Sequence, residues 1–298
     1  MIWQECIQSG FYNYLLPFKL ENNILVSEQI NVMKVYISAD MEGVTGVAHW
    51  DEVDHNKPQY SYFQKQMSKE VAAACEGAIL AGAKEVLVKD AHYSGRNILP
   101  SYLPKRAKLI RGWSGHPFSM VQELNSRFDA LMMVGYHSKA GSGGNPLAHT
   151  MSSSKIERIT LNDKQASELL LHGTIASKYH VPLTFVSGDI AICKEVESIS
   201  PNTVTHSTMH GVGDSSISVQ PDLSVNIIKR KSEKSLNSDL KKSIWAHPSR
   251  FKLVIRYMKH IDAYKASHYP GAVMLNPKSV SYENKDYENI MRFILFCV

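Results

Sequence analysis

The chain has 298 residues, of which 44% are hydrophobic and 20% charged, so it is long enough to bury a sizeable core. Its net charge of +5 at pH 7 is small. The densest basic run, at residues 229–231, has no interleaved aromatic residues, and this argues against a nucleic-acid partner. No apolar run is long enough to span a bilayer, so we expect no membrane partner either.

Cysteine usage and the N-terminal segment set two further expectations. Four cysteines without a Cys-x-x-Cys pair are too few for a disulfide framework, and free thiols in a reducing cytoplasm are the simplest interpretation. Residues 1–32 lack the basic start and uninterrupted apolar centre of a secretory signal. We expect them to be an N-terminal extension that is disordered or not native, with the folded domain beginning at Met33.

The segment 33–150 alternates short strands with helices. The predicted elements are, in order, strand 34–39, helix 60–81, strands 85–89 and 107–111, a short helix at 117–124 and strand 129–134. This order predicts right-handed crossovers and a mostly parallel sheet. The strands are almost continuously apolar, which is typical of a sheet with helices on both faces.

The segment 151–298 is predicted to form a smaller C-terminal α/β part. A Gly- and Ser-rich loop at 138–154 runs into its start, and a turn is predicted at Asn162 and Asp163. The predicted strands are 156–161, 182–187, 251–255 and 280–282, and the predicted helices are 165–178, 190–197, 223–236, 258–266 and a last one from residue 285.

Three predicted strands end in side chains that can bind metals. Asp40 and Glu42 follow the first strand on the same face, His92 follows the second, and His137 follows the fourth. Because ligands bind beyond the carboxyl ends of parallel strands, we expect these side chains to meet. Two adjacent carboxylates repel each other unless a cation or a shared proton lies between them. Oxygen and nitrogen ligands without thiolates suit zinc, or else manganese or cobalt.

Each of these residues also has an ordinary explanation. A histidine after a strand is most often a surface or hydrogen-bonded residue, and an Asp-x-Glu pair can bind magnesium, cap a helix or be solvated. Residues that can bind metals occur at three strand ends, and this favours a metal site. Four such residues suit two metal ions that share a carboxylate or a water molecule, as the paired metals of hydrolases do. Asp90 is expected either to hydrogen-bond His92 or to cap the following turn.

Five motifs in order carry a family resemblance: SADMEG (38–43), VKDAH (88–92), GYHSKA (135–140), AHTM (148–151) and LNDKQASE (161–168). They are similar to the motifs of the zinc-dependent D-aminopeptidase family, whose best-known member belongs to a bacterial dipeptide-transport operon. The similarity extends from Met33 to about residue 200 and is looser beyond.

The resemblance implies a metal-binding domain at 33–150 and two zinc ions per subunit, with the ligands Asp40, Glu42, His92, His137 and Glu168. Only the resemblance assigns Glu168, because a glutamate near a helix start is more often a surface residue favoured by the helix dipole. It also implies that His149 is catalytic. Two roles stay open for His149, as a general acid or base and as a stabiliser of the oxyanion.

The implied activity is hydrolysis, by metal-activated water, of short peptides with an N-terminal D-amino acid, such as D-Ala-D-Ala. The implied assembly is a ring-shaped homodecamer whose active sites face an internal channel, and the segment 151–298 is implied to contribute oligomer contacts and one metal ligand, Glu168. Two other classes also fit the residues. One is another metal-dependent amidohydrolase or a phosphoesterase, for which Arg96 is the obvious phosphate-binding candidate. The other is a non-catalytic, metal-containing protein that binds peptides.

Overall fold

The structure is a computed structural model that describes residues 32–298, so the prediction for the N-terminal extension lies outside the described residues except at Val32. The strands are β1 Lys34–Ala39, β2 Glu85–Asp90, β3 Ala107–Ile110, β4 Ala130–Tyr136, β5 Ile156–Leu161, β6 Lys164–Gln165, β7 Leu183–Asp189, β8 Val204–Val212, β9 Ser215–Ser218, β10 Phe251–Tyr257, β11 Val273–Asn276 and β12 Ser279–Asn284. The α-helices are α1 Tyr60–Leu80, α2 Glu168–Lys178, α3 Ile190–Ile199, α4 Pro221–Leu236, α5 His260–Ala266 and α6 Tyr287–Cys297. Within residues 32–298, no helix combines the length and the apolar character needed to cross a bilayer.

The larger sheet has seven strands in the order β3-β2-β1-β4-β7-β8-β9. Neighbouring strands pair in parallel except for β9, which runs antiparallel to β8. The carboxyl ends of β1, β2, β4 and β7 therefore reach the same edge of the sheet. This arrangement confirms the predicted, mostly parallel α/β fold.

Helices cover both faces of this sheet because successive strand residues enter two different cores. Val35 and Ile37 of β1 belong to the core that includes residues of α1 and α4. Tyr36, which lies between them, belongs to the core that includes residues of α2 and α3. Strands that are buried on both faces must be apolar at nearly every position, which explains the pattern seen in the sequence.

The smaller sheet has five antiparallel strands in the order β11-β12-β10-β5-β6, with α5 and α6 packed against it. It corresponds to the predicted smaller C-terminal part. Strands β7, β8 and β9 come from the same half of the sequence but belong to the larger sheet. The division of the chain at residue 150 stays a prediction.

Helix α2 begins three residues later than the predicted helix. Asn162 and Asp163 both have positive φ angles, of 49° and 63°, as in a two-residue hairpin turn. The next two residues pair with β5 as the short strand β6, and are therefore not available to the helix. The hydroxyl of Ser167 then caps α2 by accepting a hydrogen bond from the Leu170 amide at 3.0 Å. Glu168 is thereby placed in the first helical turn.

Several elements were not predicted or were predicted too long. Strands β8, β9 and β11 lie where no strand was expected, and the latter two have only four residues, too few to show a period. The helix predicted at 117–124 is a single 3-10 turn, Ser119–Val121, which starts with a positive φ angle of 42° at Ser119.

A buried carboxyl group supports the loop that follows β1. Glu70 of α1 is fully buried, and its Oε1 accepts hydrogen bonds from the Thr45 amide at 3.1 Å and the Gln66 side chain at 2.9 Å. Its Oε2 has no hydrogen-bond partner in the described part of the chain. Burial raises the pKa of Glu70 to about 7. The folded protein therefore favours the neutral acid, whereas an unfolded chain ionises it near pH 4.3.

The stabilisation from this raised pKa is complete below about pH 4.3 and is lost as the pH rises through 7. Glu70→Gln should remove that loss. The free energy of unfolding of the variant minus that of the parent should therefore become more positive by about 2–3 kcal/mol between pH 5 and pH 8. Urea denaturation across this range measures the difference, with Glu76→Gln on the exposed side of α1 as control. A difference for Glu70→Gln that stays constant with pH would show this explanation to be wrong.

Candidate metal centre

The side chains predicted at the strand ends converge at one edge of the larger sheet. His92 Nδ1 lies 3.4 Å from Asp40 Oδ1 and 3.0 Å from Glu42 Oε2. His137 Nε2 lies 3.5 Å from Asp40 Oδ2. All four residues are at most 5% exposed. The carboxylates and imidazoles are therefore close enough to share bound cations.

Glu168, at the start of α2, completes the cluster. Its Oε2 lies 3.6 Å from His137 Nε2, and its Oε1 accepts a hydrogen bond from the Met151 amide at 2.6 Å. Potential ligand atoms within 4.8 Å of one another form two overlapping groups, Asp40–Glu42–His92 and Asp40–His137–Glu168. Asp40 belongs to both groups and turns one carboxylate oxygen towards each, so it can bridge two ions.

Two glycines allow the ends of β1 and β4 to approach. A Cβ atom on Gly43 would lie 1.9 Å from the carbonyl oxygen of Tyr136, and one on Gly135 would lie 2.3 Å from that of Asp40. Gly135 also has a positive φ angle of 71°, which favours glycine. The Gly43 amide donates a hydrogen bond of 2.9 Å to the Gly135 carbonyl. This close packing fixes the loop that carries the carboxylates against the strand that precedes His137.

A main-chain carbonyl fixes the orientation of His92. Its Nε2–H donates to the Val53 carbonyl oxygen at 2.9 Å. Because a carbonyl can only accept, Nε2 carries a proton; the Glu42 carboxylate 3.0 Å from Nδ1 also only accepts, so Nδ1 is protonated as well unless a cation replaces that proton and leaves a lone pair on Nδ1. That lone pair faces Asp40 and Glu42, as a metal ligand should.

His137 is oriented in the opposite sense. Its Nδ1–H donates to the Ser138 carbonyl oxygen at 3.0 Å, so the lone pair of the neutral ring lies on Nε2. Neither His137 Nε2 nor Asp40 Oδ2 has a hydrogen-bond partner in the described part of the chain, although both atoms are buried. Two facing acceptor atoms without partners fit a cation between them.

The charges of the cluster support the same interpretation. Burial and the Glu42 carboxylate raise the pKa of Asp40 to about 8. Burial opposes ionisation of Glu168, but His137 outweighs it and lowers the pKa of that carboxyl to about 2. Burial likewise opposes protonation of His92 and His137, but the nearby carboxylates outweigh it and raise the pKa of both rings well above its usual range. Without a divalent cation, protons on these groups offset the negative charge of the carboxylates. A bound divalent cation would displace those protons.

His149 lies at the open side of the cluster. Its Nδ1–H donates to the Leu147 carbonyl oxygen at 2.9 Å. Its Nε2 lies 3.6 Å from Glu168 Oε1 and 4.0 Å from Glu42 Oε1, too far for a hydrogen bond to either. This nitrogen is therefore not hydrogen-bonded to either carboxylate.

The His149 ring is held between two other rings. It stacks on His137 with the ring centroids 4.3 Å apart, and Trp50 contacts it at 5.4 Å. Glu42, His137 and His149 also form a third group within ligand distance. The geometry thus admits His149 as a proton donor or acceptor and also as a metal ligand.

A cavity of about 480 Å³ covers the cluster. Besides residues of the cluster, its walls include aromatic, apolar and hydroxyl side chains, among them Trp50, Val53, Tyr93, Trp113, Met120, Met151 and Ser152. Among the lining residues of the described chain there is no Lys or Arg, and Arg96 is not one of them. Phosphoesterases often add such a cation to their metal ions to bind phosphate, and none of the described lining residues supplies one.

Asp90 caps the turn after β2. Its carboxylate accepts hydrogen bonds from the amides of Asn97 and Ile98, and it makes no hydrogen bond to the His92 ring. The Asn97 side chain donates to the main-chain carbonyl of His92 at 2.6 Å. Of the two predicted roles, capping is the one that the contacts show.

The segment that contacts both His92 and His149 was not predicted from the sequence. Trp50 and Val53 belong to a 3-10 turn and its C-terminal cap. The Glu52 side chain accepts from the amide of His49, whose ring accepts in turn from the Asp51 amide at 3.2 Å. The one available signal was a Glu three residues after a polar residue, the spacing of a capping box.

Three comparisons with known proteins agree. The family model described as Peptidase M55, D-aminopeptidase, matches residues 33–296. A D-aminopeptidase of Bacillus subtilis (strain 168) is 30% identical over 256 residues, which cover 85% of this chain and 92% of the relative. The solved structure of the Zn-dependent D-aminopeptidase DppA from Bacillus subtilis, described as a self-compartmentalizing protease, matches with a TM-score of 0.82 at 28% identity, covering 88% of this chain and 96% of that one.

The fold and these matches define an enzyme that hydrolyses peptide bonds, which excludes the non-catalytic alternative. The chain belongs to the Peptidase M55 family of D-aminopeptidases. The resemblance seen in the five motifs is thereby confirmed, and the family match also spans the C-terminal third, where the motifs are looser.

Proposed function

We propose that the chain is a dinuclear zinc aminopeptidase that acts on short peptides with an N-terminal D-amino acid, such as D-Ala-D-Ala. The main support is the pair of ligand groups that share Asp40, with one carboxylate oxygen facing each group. One zinc ion would be held by Asp40, Glu42 and His92, and the other by Asp40, His137 and Glu168. The zinc dependence of the similar DppA supports the choice of metal.

The residues fit this cofactor. Carboxylates and correctly oriented imidazoles are ordinary zinc ligands, and zinc supplies Lewis acidity that polarises a carbonyl and activates water near neutral pH. The carbonyls of Val53 and Ser138 keep the ligand nitrogens of His92 and His137 facing the cluster. The free Nε2 of His149 would transfer a proton or stabilise the developing oxyanion.

The cavity walls would select the D-amino acid, because a metal ion cannot distinguish the two hands. With zinc-loaded protein, we expect D-Ala-D-Ala to be hydrolysed about 100-fold more efficiently than L-Ala-L-Ala. A phosphate monoester should be a poorer substrate than D-Ala-D-Ala, since no Lys or Arg among the described lining residues would add to the proposed zinc ions in binding it. A panel of these substrates, measured as kcat/KM, tests the proposal. Equal rates on both enantiomers, or preferred hydrolysis of the phosphate ester, would refute it.

Copies of this chain are proposed to assemble into a homo-oligomer, and the family resemblance implies a decamer. The description of DppA as self-compartmentalizing supports assembly. Of nineteen exposed large hydrophobic side chains in the described residues, eight form what we call the C-terminal apolar set: Met258, Ile261, Tyr264, Val273, Met274, Leu275, Leu295 and Phe296. All four residues of the edge strand β11 are exposed, and none is charged or proline, so the strand lacks the usual protection against pairing.

A charge in this set should weaken assembly. We expect Leu275→Lys to shift the protein towards smaller species, because Leu275 is 51% exposed on an unprotected edge strand. Size-exclusion chromatography with light scattering measures the mass. Leu80→Lys on α1 is the matched control, since Leu80 is 59% exposed and lies outside the set. If both variants keep the mass of the parent, β11 is not part of the interface.

A further inference from the structure

A buried carboxylate that the proposed reaction does not use lies behind the candidate metal centre. Asp189 is the last residue of β7, the neighbour of β4 in the larger sheet, and is fully buried. We propose that Asp189, together with Asn145, is a positioning residue for the reaction. The pair would set the relative positions of the segments that carry Glu42, His137 and His149. This inference rests on the proposed zinc-dependent function.

The two carboxylate oxygens of Asp189 have different partners. Oδ1 accepts hydrogen bonds from two main-chain amides at the start of α3, both at 2.9 Å, and thus caps that helix. Oδ2 accepts from the Ser138 amide at 2.6 Å and from Asn145 Nδ2 at 3.2 Å. Ser138 directly follows His137, so Oδ2 holds the backbone next to a proposed zinc ligand.

Asn145 extends this connection to two other segments of the site. It is 4% exposed, and its Nδ2 also donates to the main-chain carbonyl of Glu42 at 2.9 Å. Its Oδ1 accepts from the Leu147 amide at 2.8 Å. The carbonyl of Leu147 in turn accepts from His149 Nδ1. The pair therefore links the backbone of the first carboxylate loop to the residue that orients His149.

A helix cap alone does not account for these contacts. Capping α3 needs only Oδ1, whereas both hydrogen bonds of Oδ2 go to segments of the metal centre. The variant Asp189→Asn separates the two roles. Its remaining oxygen can still cap the helix, because asparagine is as good a capping residue as aspartate. Its amide group, however, is a donor and cannot accept from Ser138 or Asn145.

The experiment compares Asp189→Asn with the parent in zinc affinity, by competition with a chromophoric chelator, and in kcat and KM for D-Ala-D-Ala. We expect zinc affinity to fall about 10–100-fold, the usual effect of losing support for a ligand. We expect kcat to fall at least about tenfold and KM to change less than about threefold, because orientation rather than binding is lost. The metal-free variant should melt at a lower temperature than the parent, because the buried Ser138 amide loses its acceptor, so zinc affinity and kinetics are compared at a temperature at which both proteins are folded.

Asp286→Asn is the matched control. Asp286 caps α6 by accepting from the Glu288 amide at 3.0 Å, and none of its hydrogen-bond partners belongs to the metal centre. This control should leave zinc affinity, kcat and KM unchanged.

Two results separate the possible failures. If the parent binds zinc and is active, and Asp189→Asn stays within twofold of it in zinc affinity and kcat, Asp189 is only a helix cap and the inference is wrong. If the parent neither binds zinc nor hydrolyses D-Ala-D-Ala, the proposed function itself fails, and the inference fails with it. If Asp189→Asn does not fold, Asn145→Ala is the variant that tests the positioning role. That variant leaves the helix cap intact and removes the link to Glu42, so it should show the same losses.

Discussion

Asp40→Asn should reduce bound zinc from two ions per chain to at most one and lower hydrolysis on the order of a thousandfold or more. Asp40 turns one oxygen towards each ligand group, and both groups are buried. Asparagine keeps the shape but loses the negative charge and replaces one of the two ligand oxygens by an amide nitrogen. Elemental analysis of purified protein, with D-Ala-D-Ala hydrolysis on the same sample, measures both effects.

Asp214→Asn, in the exposed turn between β8 and β9, is the control for Asp40→Asn and should keep both ions and full activity. An Asp40→Asn protein that retained two zinc ions and most of its activity would rule out a bridging role for Asp40.

His149→Ala should retain both zinc ions and lose activity about 10²–10⁴-fold, mainly in kcat. The ring is held by the Leu147 carbonyl and by stacking on His137, so its removal leaves the five proposed ligands in place. Metal analysis and steady-state kinetics on one preparation give both quantities. Unchanged activity would show that the catalytic role is wrong, and loss of zinc would show that His149 is a ligand, as the third ligand group permits.

His149→Gln separates the two catalytic roles that the sequence left open. Glutamine can donate a hydrogen bond to an oxyanion but cannot transfer protons near neutral pH. Partial recovery of kcat relative to His149→Ala would therefore favour oxyanion stabilisation. No recovery would favour general acid or base catalysis.

The convergence of Asp40, Glu42, His92 and His137 could be predicted because it depends on local patterns and one general rule. Short apolar runs identify the strands, and parallel strands bring their carboxyl ends to one edge. Glu168 could not be found this way. It lies on α2, which starts only after the unpredicted short strand β6, and its distance to His137 depends on how that helix packs in the core.

The groups that orient the cluster were beyond sequence reasoning for a different reason. Asn145 and Glu42 are 103 residues apart, and Asp189 and Ser138 are 51 apart. Such hydrogen bonds have no periodic signature. Asp189 did carry a local signal, as a capping residue before a predicted helix, but that signal predicts a helix start and says nothing of its second oxygen.

The most direct test is a crystal structure of the zinc-loaded protein with anomalous differences recorded at the zinc edge. Two peaks are predicted on either side of the Asp40 carboxylate, one contacting Glu42 and His92 and the other contacting His137 and Glu168. A single peak, or peaks remote from Asp40, would contradict the dinuclear centre on which the proposed peptidase mechanism depends.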